Sequence, residues 1–298
     1  MTYCYVCPHR CGVDRPENMN DTSYDKYFGS CGCGMLPIVA RAGLHMWEEP
    51  CISGTKGSGT VFFSGCNLHC VFCQNFDISC KGFGKEISIE RLQEIYQELI
   101  AQGAHNINLV TPTHFAEAVI KSLPEKLSVP VVYNTSGFES QDTLRKLNGK
   151  VQIYLPDLKY SDDKLAIKYS NAPYYFRIAT DAIKEMHRQV GEAQFDENGM
   201  MKKGVIVRHL ILPQATREAA LVFDWVKNNA SNCFFSLMSQ YVPFGKAGEY
   251  NEINRKITKR EYNKVLDFCY DTNFSEIYVQ DLSSASKKFI PAFDLTGI

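Results

Sequence analysis

From residue 59 onward, short apolar runs rich in β-branched and aromatic residues alternate with stretches whose apolar positions recur every three to four residues. That alternation predicts βα units and a mainly parallel sheet, because parallel neighbours need a crossover between them and a helix usually supplies it. Six runs read as strands, at 59–63, 106–110, 130–133, 151–155, 205–212 and 233–238, with a weaker seventh at 276–279. The clearest helix follows the first strand: Ile89, Leu92, Ile95, Leu99 and Ile100 share one face, Ser88 stands where a cap is needed and Gly103 where the helix must end. Amphipathic stretches at 114–122, 140–147, 162–169, 216–229 and 258–271, and a longer one near 173–191, read as the remaining helices. No internal repeat, low-complexity tract or linker interrupts them. Parallel βα units either close into a barrel or spread as an open sheet, and in both cases ligands gather at the C-terminal ends of the strands.

Composition sets outer limits. A chain of 298 residues with 45% hydrophobic content can bury a sizeable core. Lys plus Arg number 32 against 33 Asp plus Glu, so the net charge of −1 leaves no general footprint for nucleic acid or anionic lipid. The opening Met1-Thr2-Tyr3-Cys4 lacks the apolar centre of a secretory signal, and no stretch approaches the ~18 apolar residues of a membrane span. The expectation is a soluble, cytoplasmic protein with neither a nucleic-acid nor a membrane partner. It divides into a Cys-rich lobe over 1–54, a βα body over 55–245 and a C-terminal piece over 246–298 that packs on the body.

The cysteines change this picture. Of twelve, ten fall by position 80; Cys233 and Cys269 lie alone among apolar neighbours and read as small buried hydrophobes. Clustered thiols in a chain of this size point to metal or catalysis before disulfides. Directly after the first strand comes Ser64-Gly65-Cys66-Asn67-Leu68-His69-Cys70-Val71-Phe72-Cys73. A closed zinc site or an ordinary four-iron cluster takes four protein ligands, so three thiols leave one metal position open to another molecule. Cys80 is the fourth ligand in the alternative, a closed structural site.

With the aromatic Phe72 before its third cysteine, this loop resembles the cluster loop of the radical S-adenosylmethionine (SAM) superfamily. The resemblance implies a partial (β/α)6 barrel and a [4Fe-4S] cluster on Cys66, Cys70 and Cys73 whose fourth iron chelates SAM. It further implies reductive cleavage of SAM to a 5′-deoxyadenosyl radical that takes a hydrogen atom from a substrate, with an electron donor such as flavodoxin or ferredoxin. The later strand ends are similar to those of the pyruvate formate-lyase activating-enzyme branch. Thr111-Pro112-Thr113-His114 stands where relatives carry a Gly-Gly-Glu turn, so Thr111 and Thr113 offer hydroxyls to the methionine amino group; His114 serves equally well as a helix-start residue. Asn134 replaces an acid near the cofactor in Asn134-Thr135-Ser136-Gly137-Phe138. Asp157-Leu158-Lys159 places an acid and a cation two residues apart, hence on one side of a strand, as the implied catalytic pair. Arg208 matches an Arg beside the cofactor, where its fork suits a carboxylate, and Gln240 is a weaker match for a ribose hydroxyl or the substrate. The branch name implies a glycine of a partner glycyl-radical enzyme as substrate; another peptide or a small molecule fits as well. A reading of a different class makes all the early thiols structural, in a zinc-binding interaction module without redox activity.

The chain also opens on Cys4-x-x-Cys7-Pro8-His9-Arg10-Cys11 and continues to Gly29-Ser30-Cys31-Gly32-Cys33-Gly34. Similar openings occur in the activating-enzyme-like group. Cys4, Cys7, Cys11 and Cys31 form the preferred closed four-thiolate site, with Cys33 competing for the last place; zinc and an auxiliary iron–sulfur cluster both suit such soft ligands. The polar segment between them predicts folding coupled to metal. In Trp47-Glu48-Glu49-Pro50, the two acids read as a solvated pair in a connecting loop rather than as substrate-facing groups.

Overall fold

A computed structural model describes residues 4–16, 29–272 and 274–298. Its elements, in chain order, are β1 (Ile38–His45), α1 (Pro50–Ser53), β2 (Ser58–Phe63), α2 (Phe76–Ser79), β3 (Lys85–Glu86), α3 (Ile89–Ala101), β4 (Ile107–Val110), α4 (Ala116–Ser122), β5 (Val131–Thr135), α5 (Gln141–Leu147), β6 (Ile153–Pro156), α6 (Asp163–Ser170), α7 (Tyr175–Val190), β7 (Gln194–Phe195), β8 (Met201–Leu210), α8 (Thr216–Asn229), β9 (Phe234–Met238), α9 (Lys259–Tyr270) and β10 (Ile277–Val279). All seven runs read as strands are strands. They stand side by side in the order β2, β4, β5, β6, β8, β9, β10, and every neighbouring pair is parallel. The sheet starts on β10 and finishes on β3 without closing, which makes it an open partial barrel of α/β class.

Local chemistry explains the elements. β2, β4, β5 and β6 are buried at every position, as parallel strands covered on both faces must be. The helix α3 starts where Ser88 accepts a hydrogen bond from the Arg91 amide at 3.1 Å, and it buries Leu92, Ile95, Tyr96 and Leu99 against the sheet. Each such apolar side chain contributes roughly 1.5–3 kcal/mol by leaving water. Inside the curve of the sheet, a second small cluster of Ile52, Val132, Ile153, Leu155 and Ile206 closes the lower end.

Three features were not legible in the pattern. β1 pairs antiparallel with β2, Ala42 opposite Val61 and Gly43 opposite Thr60; its Ala and Gly content gives little strand propensity, and the partner strand supplies what propensity lacks. The helix expected from residue 114 begins as a tight 3-10 turn, Thr113–Phe115, before α4. The C-terminal tail returns to β1, where the Leu295 amide bonds to the Ala40 carbonyl and the Ala42 amide to the Thr296 carbonyl. The N-terminal lobe lies over the start of α5, with the Thr143 hydroxyl donating to the Val6 carbonyl at 2.6 Å.

Candidate active site

The upper ends of the parallel strands surround a cavity of about 230 Å³. Cys66, Cys70, Phe72 and Cys73 from the loop after β2 form one wall; Thr111, Asn134, Asp157, Lys159, Arg208 and Gln240 contribute from the strand ends; and Trp47 and Phe289 stand at its rim. A wider surface groove of about 850 Å³ between Asp162, Tyr169 and Glu218 presents none of these thiols. Cys80 does not line the cavity, although its thiol lies close to those of Cys70 and Cys73.

Asp157, expected to pair with Lys159, does so at 2.5 Å through Oδ2, and its Oδ1 accepts from Arg208 Nε at 3.0 Å. Burial alone would raise the Asp157 carboxyl, but Lys159 and Arg208 together hold it below its ordinary value, so it is ionised. The same partner holds the Lys159 ammonium above its usual range against the pull of burial. Arg208 spends the rest of its fork on Asn134 Oδ1 at 2.5 Å and on Glu48 Oε2 at 3.2 Å. Asn108 and Asn134 donate to the other Glu48 oxygen at 3.2 and 3.4 Å.

This corrects the solvated reading of Glu48 and Glu49. The Glu48 side chain is 11% exposed and completes the Arg208 network, while Glu49 is buried with Oε2 lacking a partner. Nothing in the local pattern distinguished them: Glu48 meets Arg208 across 160 positions of chain. Pro50, directly after the two acids, starts α1.

Thr113 is not brought into the cavity. It is fully buried and donates to Glu139 Oε1 at 2.5 Å, so of the two expected threonines only Thr111 reaches the mouth. Thr111 holds a positive φ of 57°, rare for a branched residue, with its amide on the Asn134 carbonyl at 2.8 Å. His114 is buried and neutral: burial drops its ring to about 3, and Nε2 donates to the Ser64 carbonyl at 2.8 Å. It therefore supports the backbone of the cysteine loop. Phe72 packs edge-on against Tyr241 and Tyr169, fixing that loop from the far side. The backbone after β5 can pass under Asp157 only because position 137 is glycine; at φ 77° a Cβ would collide with the Asp157 carbonyl.

The cysteine loop suits an iron–sulfur cluster. Burial first, then the neighbouring Cys70, pushes the Cys66 thiol up to about 12, and burial pushes Cys70 up to about 11 despite Lys159. Thiols held this way become thiolates only against metal. The Cys66, Cys70 and Cys73 thiols lie near enough to act on one another and line one cavity, as three ligands of one cluster must. The same cavity is lined by the polar strand ends Thr111, Asn134, Lys159 and Gln240.

Comparison with known proteins agrees. Residues 60–217 match the family model of the radical SAM superfamily. An uncharacterised protein, MJ0674 of Methanocaldococcus jannaschii, is 30% identical over 293 residues, covering 92% of this chain and 76% of its own. The crystal structure of Streptococcus suis SuiB bound to S-adenosylmethionine superposes with a TM-score of 0.50 at 16% identity over 74% of this chain, and SuiB bound to precursor peptide SuiA does so with 0.50 at 14% identity. These show the fold, and the chain spans about half of SuiB's length, 49% and 48% in the two cases. The three-cysteine loop, the open parallel sheet with its polar mouth and the matched family model together place this chain in the radical SAM superfamily.

Proposed function

We propose that the protein binds SAM at a [4Fe-4S] cluster on Cys66, Cys70 and Cys73 and uses it to remove a hydrogen atom from a peptide or small-molecule substrate. The observation that carries this reading is one cavity lined both by the three thiols and by the Glu48–Arg208–Asp157–Lys159 network. When bound, the reduced cluster supplies the electron that splits the sulfonium of SAM. The chain's own residues do the positioning. Arg208, bonded through Nε, Nη1 and Nη2 to Asp157, Glu48 and Asn134, holds these three side chains in place at the strand ends. Lys159 and Asp157 stay oppositely charged beside the thiols and set the field there. Phe72 and the tail residues around Phe289 keep water from the cavity.

The finer reading, activation of a glycyl-radical enzyme by hydrogen abstraction from a backbone glycine, rests on the order of the strand-end motifs, as does an electron donor of the flavodoxin or ferredoxin type. The deciding experiment compares 5′-deoxyadenosine formation by anaerobically reconstituted wild type and the Cys66→Ala/Cys70→Ala/Cys73→Ala variant under dithionite. Product from wild type alone supports the proposal; wild type at background sinks it. A glycyl-radical EPR doublet on mixing with a candidate partner enzyme tests the finer reading.

A further inference from the structure

We propose that Cys4, Cys7, Cys11 and Cys31 bind a second iron–sulfur cluster, seated directly behind the cysteine loop of the first. The four thiols are gathered by the fold: Cys7 is buried with Cys31, Cys11 and Cys4 as its ionisable thiol neighbours. The backbone turns that gather them are short, with the Cys4 amide bonded to the Val13 carbonyl at 2.8 Å and the Gly12 amide to the Cys4 carbonyl at 3.0 Å. The Cys31 arm is tied on by the Ser30 amide, which donates to Cys11 Sγ at 3.4 Å. Cys33 sits between this group and the first cluster's loop: its thiol is hydrogen-bonded to the Cys31 thiol, while the thiols acting on Cys7 are Cys31, Cys11 and Cys4. The Cys33 Sγ points to the Ser64 carbonyl, at 3.8 Å, and to the Cys31 carbonyl at 3.3 Å, and it occupies the space that a Cβ on Gly65 would need. That geometry selects Cys31 over Cys33 as the fourth ligand.

A second observation points to negative charge at this place. Arg15 is 7% exposed, and its guanidinium donates to the carbonyls of Cys33 at 3.0 Å, His114 at 2.7 Å and Gly34, with Nη1 4.0 Å from Cys4 Sγ. Carbonyls satisfy its donors but do not neutralise its charge, and that charge acts on the Cys31 and Cys33 thiols. A cluster held by four thiolates carries a net negative charge, which a buried guanidinium beside it stabilises.

The lobe is fastened to the first cluster's loop at several points. His9 Nε2 meets the Asn67 carbonyl at 2.6 Å, His69 Nε2 meets the Ser30 carbonyl at 2.6 Å, and Cys33 meets Ser64. The two centres are therefore neighbours in one rigid unit, joined through residues 64–69.

The test is metal analysis of the full chain after anaerobic reconstitution with ferrous iron and sulfide, read by elemental analysis and Mössbauer spectroscopy. In the Cys66→Ala/Cys70→Ala/Cys73→Ala variant about four irons and four sulfides per chain are expected to remain. Cys33→Ala is expected to keep the wild-type iron content, and Cys31→Ala to lose about half of it. Background iron in the triple variant, or one zinc per chain persisting there against excess iron and sulfide, overturns the proposal, as does Cys33→Ala losing what Cys31→Ala keeps. Should Cys31→Ala fail to fold, the triple variant still decides, because its N-terminal thiols are intact. Absence of SAM cleavage in wild type would remove the proposed function and leave this inference standing.

Discussion

Glu139 sits beneath the barrel mouth with Thr113 and Thr135 both donating to Oε1, while Oε2 is buried without a partner. Burial raises its carboxyl from 4.5 to about 7, against those two hydroxyls. Between those values the native chain keeps a proton that the unfolded chain releases, so stability falls as pH rises through that window, by about 3 kcal/mol at most. Denaturant midpoints for Glu139→Gln should be flat from pH 5 to 8 where wild type declines; parallel curves would refute this. Arg208 belongs to the same scale. Arg208→Ala leaves Asp157 with Lys159 alone and Glu48 enclosed without a cation, and about 3–5 kcal/mol of stability should be lost in urea titration. Adding Glu48→Gln should restore part of that loss, because one stranded charge is removed. Arg208 and Asp157 were readable as polar ends of apolar strands, whereas Glu48 and Glu139 became visible only once the chain had brought distant partners to them.

Among the elements, the helices follow their sequence most closely, since caps and apolar periodicity are local. The helix expected over 258–271 is α9, opened by a capping box in which Thr258 accepts from the Glu261 amide and Glu261 reaches back to the Thr258 amide at 2.8 Å. Glu261 is also held by Arg255 at 2.7 Å. Thr258→Ala should lower stability by about 1 kcal/mol and leave SAM binding untouched, as thermal unfolding and equilibrium binding would report. The parallel strands were equally legible because burial on both faces makes them continuous apolar runs. β1 was not, because a strand of Ile, Val, Ala, Arg and Gly carries no such signal and exists by pairing with β2.

At the scale of the molecule, the open edge of the barrel is covered by the chain's own end. Residues 286 and 289–291 line the cavity, Phe289 meets Trp47 with ring centroids 4.7 Å apart, and Asp294 pairs with Arg41 at 2.8 Å. Deleting residues 286–298 keeps β10 and should leave far-UV circular dichroism unchanged. SAM affinity should fall about tenfold, equivalent to ~1.4 kcal/mol, as water enters the mouth. Unchanged affinity in equilibrium dialysis would show that the tail does not seal the site.

By itself the sequence determined the βα alternation, the helix boundaries and the spacing of three thiols on one loop, because each depends on residues within a few positions of one another. Tertiary structure decided the rest. It turned Glu48 inward onto Arg208, sent Thr113 to Glu139 instead of the cavity, placed Cys33 against the loop of the first cluster and laid the tail over the mouth. Those outcomes follow from which surfaces the curved open sheet brings within a hydrogen bond of each other, and no local pattern records a distance across the fold.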